Sequence, residues 1–322
     1  MTGQASQGAR AVAVNLLGLV EHPELGDTPY RVSADGRPYV PTGDGGIVLG
    51  LRLGESAFGR DADHAAPGAC LVHPDPAARH ALTIYSCIGN QATVRTGQAA
   101  GARGIVVGKR GELGRVVVSF DQQDLARMRP SDQVAVRTCG QGWRSPGFPS
   151  EVTLLNTDPA ALRWLPITVD GDGACVTAGV RAILPSKLAG NGIGRPAVGW
   201  DLDLQLGGSA AGGGRDGRAD SGAAADEDML LGDLVAVSDL DARFNLGYRR
   251  GWLTVGVIVH GASPLPGHGP GITPILTGPA EVLQAAPDQA GHTGLTEAVL
   301  RLLTVAELLR QRRATAACRK QV

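Results

Sequence analysis

The chain's 322 residues include 30 basic and 31 acidic side chains, a formal charge of −1, and 43% hydrophobic residues. That length buries a substantial core in one large or two medium domains, while the balanced charge argues against the broad positive surface of a nucleic-acid binder. The opening MTGQASQGAR lacks an apolar signal core, and no apolar run reaches the roughly 20 residues of a helical membrane span, so a cytoplasmic protein with neither membrane nor nucleic-acid partner is expected.

Cys70, Cys87, Cys139, Cys175 and Cys318 are widely spaced with no C-x-x-C pair, the pattern of free thiols and not of a disulfide framework or structural zinc site. Of the 30 basic residues only Lys109, Lys187 and Lys320 are lysine. Where arginine is the default cation a lysine is informative, because an ammonium is compact and loses its proton when desolvated, which a guanidinium does not.

Arg10 to Val20 reads as a first strand. Asp44, in the glycine setting of Pro41 to Gly50, suits a tight turn or an exposed acceptor for a metal or ligand amine. Asp61, Asp63 and His64 gather in one loop, either as donors to a divalent cation or as solvated groups. Residues 81–94 read as two short β-type runs around Ser86-Cys87-Ile88-Gly89-Asn90. Cys87 there is a stabilised nucleophile or a small buried hydrophobe, and Asn90 holds a left-handed turn or offers its amide to a substrate. Gly101 to Gly111 and Arg115 to Phe120 form an expected hairpin with Lys109 at its tip. The tip is neither a P-loop nor a dinucleotide fingerprint, so no nucleotide cofactor is expected. Gln122 to Met128 reads as a short helix and Ser131 to Arg137 as a strand.

Trp143 to Pro149 is rich in Gly and Pro and makes a linker. The expected domains are therefore an N-terminal β-rich unit, 1–145, and a C-terminal β-barrel-like unit, 146–322. Lys187 and Asn191 fall in a loop. Asp201 and Asp203 alternate onto one strand face, placed for metal or acid–base chemistry or for a charged edge that blocks aggregation. Gly207 to Asp228 is low-complexity Gly/Ala/Asp sequence, an expected disordered insertion. Leu231 to Gly278 then alternates strand-like runs with glycine-rich turns, placing His260 at a strand exit and His268 between glycines, where backbone can approach a ligand. These imidazoles either work in a site or hydrogen-bond a barrel turn. Residues 294–313 carry Val299, Leu302, Leu303, Ala306 and Leu309 at the spacing of one helix face. The expected fold is mainly β (α+β), β-barrel-like, with a C-terminal helix.

As a set, the GDGG within Thr42 to Gly50, the CIGN ending Ser86 to Asn90, the GKRG ending Gly104 to Gly111, Leu231 to Asp239, Gly251 to Gly261 and the GHGPG of Gly267 to Gly271 resemble an uncharacterised prokaryotic family known only as a domain of unknown function. The resemblance spans most of the chain and implies a β-rich, cyclophilin-barrel-like architecture with no assigned reaction. It also implies histidine in relatives where Arg110 stands, so a role of that imidazole, such as metal ligation, does not carry over, while Lys109 keeps its position.

Asn90, Lys109, Asp239, His260 and His268 recur at the mouths of glycine-flanked strands. That pattern favours a small-molecule metabolic or biosynthetic enzyme, a hydrolase, lyase or isomerase acting on C–N or C–O bonds. In this reading His260 or His268 is the base, Lys109 stabilises an oxyanion, and Ser86, Cys87, Asn90, Asn191 and Asp239 face the substrate, with a divalent metal ion as the candidate cofactor. The alternative is a non-catalytic small-molecule or peptide-binding β-barrel module. A structural subunit is a third reading, and at least a homodimer is expected. Because the composition of 207–228 buries too little apolar area to offset ordering entropy, replacing it with a short linker should leave the melting temperature unchanged; a large drop on thermal denaturation would refute the loop assignment.

Overall fold

The computed structural model describes residues 11–288 and 294–296, apart from 24, 26, 27, 61, 113 and 207–228. In the first half, β1 (Ala13–Val20), β2 (Arg31–Val32), β3 (Pro38–Tyr39), β4 (Ile47–Val48) and β5 (Gly68–Val72) precede α1 (Pro76–Tyr85). There follow β6 (Gln91–Val94), β7 (Arg103–Arg110), β8 (Arg115–Ser119), α2 (Gln122–Arg127) and β9 (Gln133–Cys139). The second half adds β10 (Thr153–Leu154), β11 (Ile167–Val169), β12 (Val176–Val180), β13 (Ala182–Pro185) and β14 (Leu202–Asp203). It ends with β15 (Leu234–Asp241), β16 (Gly247–His260), β17 (Gly271–Pro279) and β18 (Leu283–Pro287).

Strands β1, β9, β6, β7, β8 and β5 pair in that order, and β1 returns to β5 by pairing Leu19 with Val72 and Val20 with Leu71. The six strands thus close into a barrel, which removes the open edges an isolated sheet would expose. The side-chain period of two sorts β5, β7 and β8 between two cores. Ala69, Leu71, Val106, Val116 and Val118 fill the barrel with Leu82 of α1 and Leu125 of α2. Their neighbours Cys70, Ile105, Val107 and Val117 belong to a second core shared with Val235, Val255, Val257 and Ile272 of the other half. That double burial is why runs such as Ile-Val-Val and Val-Val-Val carry no polar alternation.

The second half is built on the sheet β10-β17-β16-β15-β13, with β14 added to β17, and a smaller sheet β11-β12-β18. Two of its pairings, β13 with β15 and β12 with β18, are parallel. The fold is mainly β with a closed barrel, as the sequence leads one to expect. Residues 81–85 differ from the expectation of a β-type run, being the last turn of α1. Asp75 caps that helix, its Oδ1 accepting from the Ala78 N–H at 2.7 Å, and Pro76 opens the first turn. Cap and buried Leu82 outweigh the β-branched Thr83 and Ile84. The expected insertion 207–228, and the expected C-terminal helix from residue 297 onward, lie outside the described residues. Among the described residues no helix is long and apolar enough to cross a membrane.

The junction between barrel and second sheet is tight at Gly108, where an added Cβ would lie 2.1 Å from Val259 Cγ2. Gly108→Ala should therefore lose about 1–3 kcal/mol or more by overpacking, read from urea denaturation. Gly147→Ala, with nothing within 4 Å of its Cβ position, is the control and should stay within about 1 kcal/mol of the parent.

Candidate functional site

Four distant segments meet in one buried cluster. Strand β14 pairs with β17 so that Asp203 stands opposite Gly271, and β16 pairs with β17 so that His260 also stands opposite Gly271. The position between them has to be glycine, because a Cβ on Gly271 would lie 1.9 Å from His260 Nε2. His260 Nε2 accordingly lies 2.8 Å from Asp201 Oδ2 and 3.2 Å from Asp203 Oδ1. The turn entering β17 brings His268, whose Nδ1 lies 2.8 Å from Asp203 Oδ2.

The fourth segment comes from the barrel half. The loop around His64 docks on the exit of β16, with Gly261 N donating to Ala65 O and Ala262 N donating to Ala57 O. His64 itself has φ +51°, the left-handed region that a non-glycine side chain enters at a cost. The result places His64 Nε2 3.1 Å from His268 Nδ1 and 3.9 Å from Asp203 Oδ2. Around these atoms the neighbours hold orientation. His260 Nδ1 lies 2.9 Å from Gly261 O, Gly111 N donates to Asp201 Oδ1 at 2.8 Å, and Asp63 Oδ1 lies 2.9 Å from His64 Nδ1.

A ring of ion pairs encloses the cluster. Arg115 Nε donates to both oxygens of Glu21 at 2.7 Å, Arg110 and Arg115 both reach Asp44, and Arg31 bridges Asp44 and Asp63. Tyr39 donates its hydroxyl to Asp63 as well. The buried carboxylates Glu21, Asp44, Asp63, Asp201 and Asp203 number five against the three guanidiniums Arg31, Arg110 and Arg115, an excess of two negative charges. Without a further cation, protons on imidazoles make up that deficit. Burial opposes charge on His260, yet Asp201 and Asp203 raise its pKa to about 9, and Asp203 raises that of His268 against the same burial. His64 moves the other way, burial and the neighbouring His260 lowering it despite Asp63. Asp203 is pressed upward by burial but held well below the usual carboxylate range by His260 and His268.

Solvent reaches this cluster at the His268 and Arg31 side chains, 17% and 27% exposed, whereas His64, His260 and Asp203 are buried. A cleft of about 810 Å³ lies alongside, walled by residues such as Thr42, Val48, Leu51 and Ala65. It touches the cluster only through Asp44, so reactive groups and the large cleft do not coincide.

The residues singled out in the sequence separate into three places. His260 and His268 share Asp203, and Asn191 stands at their rim, its N–H donating to Gly267 O and its O accepting from Asp203 N. Ser86, Cys87, Asn90 and Lys109 group instead around the end of α1. Lys109 Nζ donates to Ile84 O, Asn156 Oδ1 and Val198 O at 3.1, 2.8 and 2.6 Å, which occupies all three of its N–H bonds. Burial lowers its pKa to about 8. Asn90 Oδ1 accepts from the N–H groups of Cys87 and Cys139, and its Nδ2 donates to Cys139 O and Asp158. Ser86 Oγ is buried without a hydrogen-bond partner. Asp239, third in location, has φ +56° at a β-bulge and accepts the Gly251 N–H. His64, Asp63, Asp201 and Asp203 carry visible chemistry in the sequence as separate loops. Arg31, Glu21 and Arg115 carry no local signal, since only the fold turns them inward.

The family model described as "Domain of unknown function (DUF4438), N-terminal" matches residues 30–163, and its C-terminal companion matches residues 165–293. The chain belongs to that family. Among solved structures, the crystal structure of TM1086 is similar at 29% identity and a TM-score of 0.78, over 87% of this chain and 94% of that one. No curated protein matches.

Cys87 is fully buried, and burial raises its thiol pKa to about 12. Iodoacetamide at pH 8, followed by peptide mass spectrometry, should leave Cys87 unmodified in the native protein and label it in denaturant. Rapid native labelling would instead mark it as a poised nucleophile.

Proposed function

We propose, with membership in this family as the premise, that the chain is a metal-dependent small-molecule enzyme of hydrolase or lyase type, its cation held by His64, His268 and Asp203. One observation carries the reading: His64 Nε2, His268 Nδ1 and Asp203 Oδ2 converge with edges of 3.1, 2.8 and 3.9 Å. Donors that share a cation at bond lengths of roughly 2.0–2.2 Å span a triangle of this size. Two imidazoles and a carboxylate suit zinc, manganese or iron(II), and leave coordination positions open. Asp63 beside His64 Nδ1 is the outer carboxylate that fixes a ligating ring. Asp44 and Asp63 are unsuited as ligands themselves, being engaged by guanidiniums.

A cation held by His64, His268 and Asp203 would supply Lewis acidity and lower the pKa of a water bound on the side opened by His268. The chemistry this would support is hydrolysis, in which the water oxygen bonds to a carbonyl-type carbon as the C–N or C–O bond to the leaving group breaks and the water's proton passes to the leaving nitrogen or oxygen. Lys109 takes no part in this reading, since its N–H bonds are spent on Ile84, Asn156 and Val198.

Chelator-treated protein should melt at a lower temperature than protein supplied with Zn²⁺, Mn²⁺ or Co²⁺, because a ligand bound only to the native state stabilises it. His268→Ala, at the exposed edge of the cluster, should fold yet lose that metal-dependent rise. Purified protein that holds no metal by elemental analysis and gains no stability from any of these ions would overturn the reading.

A further inference from the structure

The same cluster holds a second set of donors, and the geometry points to a two-cation centre in which Asp203 is the bridge. This deepens the metal-enzyme reading above and rests on it. On one side of Asp203, Oδ2 faces His268 Nδ1 and His64 Nε2. On the other, Oδ1 faces His260 Nε2 at 3.2 Å, and Asp201 Oδ2 completes a second triangle at 2.8 Å from the same nitrogen. Each carboxylate oxygen of Asp203 therefore addresses a separate set, so that this one carboxylate would bridge two cations about 3.5–4 Å apart.

Two further observations favour a cation in the second set. Asp203 Oδ1 belongs to an almost fully buried residue and has His260 Nε2, 3.2 Å away, as its close polar neighbour. An ionised oxygen so buried needs positive charge beside it, which a cation in the second set would supply. His260 has Nδ1 against the Gly261 carbonyl, which fixes a proton on that nitrogen and aims Nε2 at the two carboxylates. Nε2 and the two carboxylates converge closely enough that a divalent cation among them would take all three as ligands. Asp201 is held for the task by the Gly111 N–H on its other oxygen. Outer neighbours stand on both sides: Asp63 2.9 Å behind His64, Gly261 O behind His260 and Gly111 N behind Asp201.

Charge sets the class of substrate. Two divalent cations against an excess of two buried negative charges leave the centre positive by two, a charge met by a bridging hydroxide together with an anionic group on the substrate. Cations so spaced would hold a carboxylate- or phosphate-bearing small molecule across both positions.

Manganese titration of chelator-treated, full-length protein tests the bridge, with bound metal counted after equilibrium dialysis and the spin state read by EPR. The expected result is about two Mn²⁺ per chain with an exchange-coupled spectrum, as a shared carboxylate imposes. Asp201→Asn keeps the acceptor for Gly111 N but weakens the second set, and should bind one Mn²⁺ with an uncoupled spectrum while its circular dichroism matches the parent. Parent protein saturating at one Mn²⁺, or at two uncoupled ions, would overturn the two-cation centre and leave the single-metal reading standing; no bound metal would overturn both. Should Asp201→Asn fail to fold, the coupling in the parent decides the question.

Discussion

Five buried carboxylates gathered with two buried guanidiniums and the partly exposed Arg31 form the constraint on which the arrangement of the two halves depends. A buried ion is tolerated only where opposite charge and hydrogen bonds replace its hydration. Glu21, Asp44, Arg110 and Arg115 come from the barrel half, while Asp201, Asp203, His260 and His268 come from the second sheet. The junction thus brings two sets of charges together, each supplying atoms that the other half needs. The apolar core shared across the same junction, Ile105, Val107 and Val117 against Val255, Val257 and Ile272, supplies the non-directional part of the association. The polar contacts fix its register.

Much of the fold was legible because its strands are punctuated by glycine and its apolar runs are short. The hairpin of β7 and β8, the helix α2 and the strands β15 to β17 sit near their expected places, except that Lys109, expected at the hairpin tip, lies within β7 opposite Val116 and is buried. Residues 81–85 misled because their own side chains favour strands, whereas the cap that decides the matter lies upstream at Asp75. The candidate site was legible as parts. His260 and His268 stood out by their glycine setting, Asp201 and Asp203 by their spacing, and Asp63 and His64 as a loop pair. Their meeting was not legible, because it depends on a two-residue strand adding to β17 and on a loop docking against Gly261 and Ala262. Neither contact has a local sequence signature.

Rarity in composition marked burial at Lys109, whereas Lys187 is exposed. Lys109 is one of three lysines, and its ammonium sits where a planar guanidinium would not meet three separate acceptors. Asn90 is similar: its amide closes a loop by meeting backbone of Cys87 and Cys139 at once. Residues of reactive type in glycine-rich turns therefore fall into two groups here, those whose polar atoms are used up by backbone and those left facing one another. The second group is the His/Asp cluster.

Barrel closure has a consequence for how the chain comes to exist. Beyond its short pairing with β5 at Leu19 and Val20, the first strand pairs along its length with the ninth, from Ala13 against Cys139 to Leu19 against Gln133, so those hydrogen bonds wait until well over a hundred further residues have been made. Contacts of such separation carry a loop-closure cost before they return any stability, and chains rich in them fold slowly. The His64 to His268 contact, 204 residues apart, forms later still. During synthesis on the ribosome, β1 therefore emerges as an unpaired, partly apolar edge, and it is at this stage, before any site exists, that the chain is most exposed to chaperones and to aggregation.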